Sequence, residues 1–300
     1  MTATPFRRTP LVLLWLAALL VVAAAAHAQA PRPARPAPKK SPAVAAPAVV
    51  VQVVDVDAEL AFLRTAKVVA KRPIGKGITG ALRVTLNDGV RTHDAAFQSV
   101  AEEKVGTQVS RNLRQPGEAR FVDHYRYNIA AWRLSGLLGL AHMMPPTIER
   151  RIDGKNGALS WWMDDVLMDE QEREAKGAQP PSGAVGFARQ RQSMWVFAEL
   201  VRDTDRNKGN VVYTKDWRVI MLDFTRAFRL QKELKDIAAL NGCARDLLAR
   251  LRALSEPAVK GAVEHHLTGA EITAVMARRD LLVAHFERLI AERGEAAVLY

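Results

Sequence analysis

Two acidic residues and one amide flank a pair of apolar segments in the second half of the chain. Asp205 and Asn210 precede "VVYTKDWRVIML", and Asp223 follows it. An antiparallel hairpin that turns at residues 214–217 would bring Asn210 close to Met221, two residues before Asp223. Carboxylate and amide oxygens suit Mg²⁺, which takes its remaining ligands from water and phosphate. The spacing predicts a divalent-cation and phosphate site, with a further carboxylate, Asp205, placed to accept a hydroxyl proton.

The same loop has two other interpretations. "DTDRNKG" places Asp203, Asp205 and Asn207 at positions 1, 3 and 5 of an irregular calcium loop. Lys208 then stands where such a loop has glycine, and Thr214 where it has glutamate. In the other interpretation these polar groups only cap helix and turn ends.

A glycine-rich segment precedes these residues. Gly75, Lys76, Gly77 and Gly80 form a G-x-G-x-x-G pattern directly before "ALRVTL", which we expect to pair with "THDAAFQSV" across Asn-Asp-Gly. In a dinucleotide-binding fold this pattern follows a strand and opens a helix. Here a strand follows it, so the pattern favours a loop that covers phosphates above a hairpin.

The remaining elements follow from periodicity. "FVDHYRYNIAAWRLSGLLGL" has apolar residues at helical spacing, "TIERRIDGKNGALSWWM" reads as a hairpin, and residues 187–201 read as a helix with one buried face. Further helices fill the C-terminal part. This order predicts an α+β fold with a small, mixed, β-rich lobe at residues 50–165, a larger and mainly helical lobe at residues 166–300, and a cleft between them.

The N-terminal segment has the composition of an export signal. Arg7 and Arg8 precede 17 uncharged residues at 10–26, and Ala26-His27-Ala28 is an acceptable cleavage site. Residues 1–28 therefore predict a secretory signal peptide or an uncleaved membrane anchor. The Pro/Ala-rich residues 29–49 predict a disordered tether. We expect an exported protein that is periplasmic, or anchored in the inner membrane and facing the periplasm.

The net charge gives little support for binding to nucleic acid. The chain of 300 residues has a net charge of +11, but six basic and no acidic residues fall in residues 1–49. The other 37 basic and 32 acidic residues leave only +5 for the globular part. Such a moderate excess is typical of a solvated surface rather than of a nucleic-acid groove. The basic tether predicts at most a weak contact with an anionic membrane surface.

Three motifs together resemble the atypical branches of the protein-kinase-like superfamily. "DRNKGN" followed by "LDFTRAF" resembles the catalytic loop and metal-binding segment of HipA-like, phosphatidylinositol and secretory-pathway kinases. The Asp-x4-Asn spacing is shared with aminoglycoside phosphotransferases. "NIAAWRLSGLLGLAHMMPPTIER" is similar to the N-lobe helix and the following strand of HipA-like and related bacterial proteins. The resemblance covers about residues 72–230 and implies a two-lobed protein-kinase-like fold.

The resemblance also implies roles for individual residues. Asp205 would be the catalytic base, and Asn210 and Asp223 would be ligands of Mg²⁺ or Mn²⁺. Gly75, Gly77 and Gly80 would cover the phosphates of ATP or another nucleotide. The implied reaction is transfer of the γ-phosphoryl group to a hydroxyl of a protein, lipid or sugar.

Two residues depart from the family pattern. Gln98 stands where such kinases carry a lysine that holds the α- and β-phosphates, and Asn128 stands where the helix acid pairs with that lysine. The double change is self-consistent because Gln and Asn can hydrogen-bond each other, whereas a lone buried charge is costly. We therefore expect both to line the nucleotide site without a positive clamp, unless Lys76 or Lys104 supplies one.

These departures favour an alternative function. The protein would then be a pseudokinase, a catalytically inactive binding or scaffold module, and the scarcity of ATP outside the inner membrane favours the same conclusion. The presence of Asp205, Asn210 and Asp223 together favours an enzyme.

Overall fold

The described part of the chain contains eight α-helices and ten strands. The computed structural model describes residues 55–75, 80–109, 118–181 and 186–300. The chain divides into the units Met1–Gln52 and Val53–Tyr300, and all described residues belong to the second. The predicted signal segment and the predicted tether lie outside the described residues. In chain order the elements are α1 (Val56–Thr65), β1 (Lys67–Pro73), β2 (Leu82–Asn87), β3 (Thr92–Gln98), β4 (Ala101–Val109), β5 (Glu118–His124), α2 (Arg126–Leu137), β6 (Thr147–Ile152), β7 (Lys155–Trp161), β8 (Val166–Asp169), α3 (Glu170–Lys176), α4 (Phe187–Leu200), β9 (Val211–Thr214), β10 (Val219–Met221), α5 (Arg245–Ala253), α6 (Glu256–Val263), α7 (Gly269–Arg293) and α8 (Glu295–Val298).

A five-stranded antiparallel sheet is the centre of the first lobe. Its strand order is β1-β2-β3-β7-β6. The hairpin β2–β3 turns where the sequence predicts it, because the Asp88 carboxylate accepts the backbone N–H groups of Val90 and Arg91 at 2.9 and 2.7 Å. The predicted hairpin β6–β7 is also present, and Asp153 and Gly154 at its turn both have positive φ.

One face of this sheet packs under α1 and the other face bears Gln98. The apolar side chains of Leu63, Val84, Leu86 and Phe97 are buried between helix and sheet. Because neighbouring side chains of a strand point to opposite faces, Gln98 emerges on the face away from Phe97. That face meets α2 and the second lobe.

Two features of the first lobe differ from expectation. Strands β4 and β5 pair as a separate two-stranded ribbon between β3 and α2, and the sequence analysis did not predict it. The segment "FVDH" belongs to β5 rather than to the predicted helix, so α2 begins only at Arg126. The ribbon also touches the second lobe, since the His124 N–H donates to the Thr225 carbonyl at 2.8 Å.

The second lobe is mainly helical around one three-stranded sheet. This sheet has the order β10-β9-β8, and it packs with α4 to α7 around a large apolar core. Arg278 of α7 is fully buried in that core and donates hydrogen bonds to the carbonyls of Leu200, Arg229 and Gln231. None of the helices in the described ranges is long and apolar enough to cross a membrane.

Candidate active site

The hairpin β9–β10 joins two of the predicted metal ligands. Met221 pairs with Val211, and the Leu222 N–H donates to the Asn210 carbonyl at 2.9 Å. Asn210 therefore lies opposite Leu222, one residue beyond the predicted Met221, because the turn is closed by Arg218 rather than Trp217: the Thr214 N–H donates to the Arg218 carbonyl at 3.1 Å. The two candidate ligands are thus closer in register than predicted, since Asp223 follows Leu222 directly.

A buried ion pair fixes the loop that carries Asp205. The guanidinium of Arg206 lies 2.5 Å from the Asp203 carboxylate, and both side chains are almost fully buried. Arg206 also donates to the carbonyls of Asn210, Leu222 and Asp223 at 2.8, 2.6 and 3.3 Å. The acid loop and the segment after β10 are therefore held together by one side chain. Asp203 faces a cation already, so the arrangement does not support a calcium loop.

Asp205 itself remains accessible. Its side chain is 41% exposed and lies 3.7 Å from the Arg226 guanidinium. The side-chain amide of Asn210 donates to the Asp205 carbonyl at 2.9 Å, which turns the amide oxygen of Asn210 away from that carbonyl. The accessible Asp205 carboxylate and the Asn210 amide therefore belong to one hydrogen-bonded loop.

Asp223 has a strained backbone and an oriented carboxylate. Its φ of 52° lies in the left-handed region, which is uncommon for a residue other than glycine. One carboxylate oxygen accepts the N–H and the hydroxyl of Thr225 at 3.2 and 2.8 Å, and the other accepts the Gln98 amide at 3.3 Å. Gln98 therefore joins the first lobe to the predicted metal ligand.

The predicted amide pair is present. The Asn128 side-chain amide donates to the Gln98 side-chain oxygen at 2.5 Å, and the Asn128 side-chain oxygen accepts the Phe224 N–H at 2.6 Å. Helix α2, strand β3 and the segment that begins at Asp223 are thereby linked by neutral hydrogen bonds. This is the position at which the kinase pattern would place a lysine and an acid.

The glycine-rich segment connects β1 and β2 of the sheet that bears Gln98. Gly75 and Gly80 both have positive φ, and the Ile74 N–H donates to the Ala81 carbonyl at 3.0 Å. Lys76 and Gly77 lie outside the described residues. Lys104, the other candidate clamp, is more than half exposed and lies 3.4 Å from Glu102.

The sequence analysis missed one acidic side chain beside this site. Asp123 of β5 is only 8% exposed, and burial raises the pKa of its carboxyl group, as does the negative charge of Asp223. The available signal was an acid that directly follows the apolar pair Phe121 and Val122, which the predicted helix obscured. Its neighbour His124 is a second missed group, and burial lowers the pKa of its imidazole to about 4.

Comparisons with known proteins identify the fold. No family model and no curated protein matches the chain. The structure of hydra Fam20 with sugar matches with a TM-score of 0.60 at 17% identity, covering 84% of this chain and 93% of that one. The crystal structure of a Helicobacter pylori proinflammatory kinase, CtkA, matches with a TM-score of 0.45 at 12% identity, covering 75% and 96%.

The match to the hydra protein shows the fold, whereas the second match is too divergent to add to it. The chain has a two-lobed α+β fold similar to that of the hydra protein, and the predicted protein-kinase-like fold class is confirmed.

Proposed function

We propose that this chain is an exported, kinase-like phosphotransferase that moves the γ-phosphoryl group of ATP, or of another nucleotide, to a substrate hydroxyl with the help of Mg²⁺ or Mn²⁺. One observation carries the proposal. Arg206 ties the backbone around Asn210 and Asp223 together, and Gln98 joins Asp223 to the sheet whose glycine-rich connection would cover a nucleotide.

The donor set at this point fits a divalent cation. The Asp223 carboxylate and the Asn210 amide oxygen are hard ligands of the kind Mg²⁺ and Mn²⁺ take. Within the described residues there is no cluster of three or more His, Cys, Asp or Glu side chains suited to a metal. The coordination would therefore be completed by water and by nucleotide phosphates. When bound, the cation would neutralise charge on the β- and γ-phosphates.

Asp205 is proposed as the general base. Its exposed carboxylate would accept the proton of the acceptor hydroxyl while the hydroxyl oxygen bonds to the γ-phosphorus. The bond between the γ-phosphorus and the bridging oxygen breaks, and the nucleoside diphosphate leaves with the electron pair. Arg226, at 3.7 Å, would orient the carboxylate before the substrate arrives.

The acceptor class and the location are part of the proposal. Protein, lipid and sugar hydroxyls all suit the same base, and the hydra protein was solved with a sugar, so sugars are the first acceptors to test. The basic, uncharged and Pro/Ala-rich segments of residues 1–49 support export to the periplasm or anchoring in the inner membrane.

A second candidate function has its own observation. The neutral Gln98–Asn128 pair supplies no positive charge for nucleotide phosphates. This favours a pseudokinase that binds a nucleotide or a partner without transferring phosphate.

Phosphoryl transfer by the full chain distinguishes the two. With γ-labelled ATP, Mn²⁺ and a panel of sugar, protein and lipid acceptors, we expect Asp205→Asn to lower the transfer rate by about 10²- to 10⁴-fold. Asp216→Asn, at the exposed far end of the same hairpin, is the matched control and should transfer at the wild-type rate. Nucleotide binding without transfer would favour the pseudokinase, and an unchanged rate in Asp205→Asn would exclude that residue as the base.

A further inference from the structure

Asp123 is a buried carboxylate with one oxygen that no donor of the described residues satisfies. It is 8% exposed, and its Oδ1 atom has no hydrogen-bond partner in the described part of the chain. A buried carboxylate oxygen without a donor or a cation is costly. Its presence on β5 therefore needs a physical reason other than packing.

Asp123 and Asp223 face each other across a single hydroxyl group. The His124 N–H donates to the Thr225 carbonyl at 2.8 Å, which fixes β5 against the segment after Asp223. The Thr225 hydroxyl donates to Asp223 at 2.8 Å and also lies within hydrogen-bonding range of the Asp123 carboxyl group. A hydroxyl has only one hydrogen to donate, so it serves one of the two carboxylates at a time.

The positive charge of Arg226 acts to lower the pKa of Asp123, but this guanidinium also faces other groups. The Arg226 guanidinium stacks on the Phe121 ring at 4.9 Å, and its carboxylate partner is Asp205. Lys104 lies beside Glu102, which pairs with Asp123 across the ribbon and adds a further negative charge. Two carboxylates therefore lie around the Thr225 hydroxyl, and Asp223 directly follows Leu222, whose N–H donates to the Asn210 carbonyl.

We propose that Asp123 supplies a further oxygen ligand to the divalent cation that Asp223 and Asn210 would hold. This inference rests on the proposed function. A second carboxylate adds a negative charge and an oxygen ligand, so it raises the affinity of the site for the cation when no nucleotide phosphate is present. The cation would thus occupy the site before the nucleotide binds. Its charge would offset the positive charge that is missing at Gln98.

A Mn²⁺ titration of the full chain without nucleotide tests this directly. Free Mn²⁺ is followed by its electron paramagnetic resonance signal, which is lost on binding. We expect the wild type to bind Mn²⁺, and Asp123→Asn, which keeps the shape of the side chain, to raise the Kd at least about tenfold. Glu102→Gln removes an equal charge from the opposite ribbon position and should change the Kd by no more than about twofold.

Melting temperatures show whether Asp123→Asn acts through the cation. Without metal this variant should melt at or above the wild-type temperature, because it removes a buried charge, and its rise with Mn²⁺ should be reduced. A variant that melts below the wild type and keeps the full Mn²⁺-dependent rise would overturn the inference, since Asp123 would then be only a structural acid.

Asp223→Asn separates this inference from the proposed function. If Asp223→Asn abolishes Mn²⁺ binding and Asp123→Asn binds like the wild type, the inference fails and the proposed function stands. Binding by the wild type that requires nucleotide also overturns the inference. If the wild type binds no Mn²⁺ with or without ATP, both fail.

Discussion

The two halves of the candidate site are held together by different kinds of interaction. In the second lobe a buried ion pair, Asp203 with Arg206, holds the loop of the proposed base. In the first lobe the corresponding support is a pair of neutral amides, Gln98 and Asn128. The proposed base and metal ligands are therefore held in place by an ion pair, whereas the proposed nucleotide side is held by neutral hydrogen bonds.

The difference separates positioning from affinity. A buried ion pair contributes to stability only where further hydrogen bonds support it, and the two terminal nitrogens of Arg206 donate to three backbone carbonyls. Burying an amide pair costs less free energy than burying an ion pair, but the amide pair offers no positive charge to a phosphate. The acid side is thus organised before any ligand binds, and under the proposed function we expect nucleotide affinity to depend on the cation and the glycine-rich connection.

Removing the buried ion pair between Asp203 and Arg206 should have the largest effect, a loss of stability. Arg206→Met leaves Asp203 as a buried charge without a cation, and we expect a loss of about 3–5 kcal/mol in the free energy of unfolding, measured with urea. Arg218→Met is the matched control because its partner Asp165 is 41% exposed, and that loss should stay below about 1 kcal/mol. Equal losses would show that the two halves are not supported differently.

Replacing the neutral amide pair with an ion pair should raise the affinity for nucleotide. In the double variant Gln98→Lys with Asn128→Glu, an ion pair replaces the amide pair, and we expect Mn²⁺-ATP to bind about tenfold more tightly by calorimetry. Asn128→Glu alone should lower the melting temperature, because it buries a carboxylate near Asp223, and the double variant should recover it. A double variant that binds no more tightly would place the phosphate clamp elsewhere, at Lys76 or Lys104.

We expect pH to have a smaller effect on stability, through His124 of β5. Burial lowers the pKa of His124 from 6.5 to about 4, so the folded chain binds fewer protons than the unfolded chain between these values. Stability should therefore rise with pH across this window and be lost as the pH falls through it. His124→Asn should flatten the dependence measured by urea unfolding, while the exposed His265→Asn should not. Identical profiles for both variants would contradict this assignment.

Local signals predicted much of the fold and part of the site. Asn-Asp-Gly located the β2–β3 hairpin, and the apolar run split at residues 214–217 located β9–β10. The predicted register of that hairpin placed Asn210 opposite Met221, one residue from its observed partner Leu222 and close to Asp223. The amide pair followed from the family pattern together with the cost of burying a lone charge.

Non-local contacts account for what was missed. The ribbon β4–β5 and strand β8 have no strong turn signal, and β8 is recognisable only through its pairing with β9. Asp123 lay within an apolar stretch interpreted as a helix, and the Thr225 contact that gives it meaning joins distant parts of the chain. No periodicity in the sequence encodes such a contact.

The most direct test of the central claim is a melting-temperature titration of the full chain with ATP and Mn²⁺, applied singly and together. If Asp223 and the acid loop hold a metal–nucleotide complex, the two ligands together should raise the melting temperature of the wild type and of Asp216→Asn. Asp223→Asn should lose the metal-dependent part of that rise. An equal rise in Asp223→Asn, or none in the wild type at millimolar ATP, would contradict a phosphoryl-transfer site at this position.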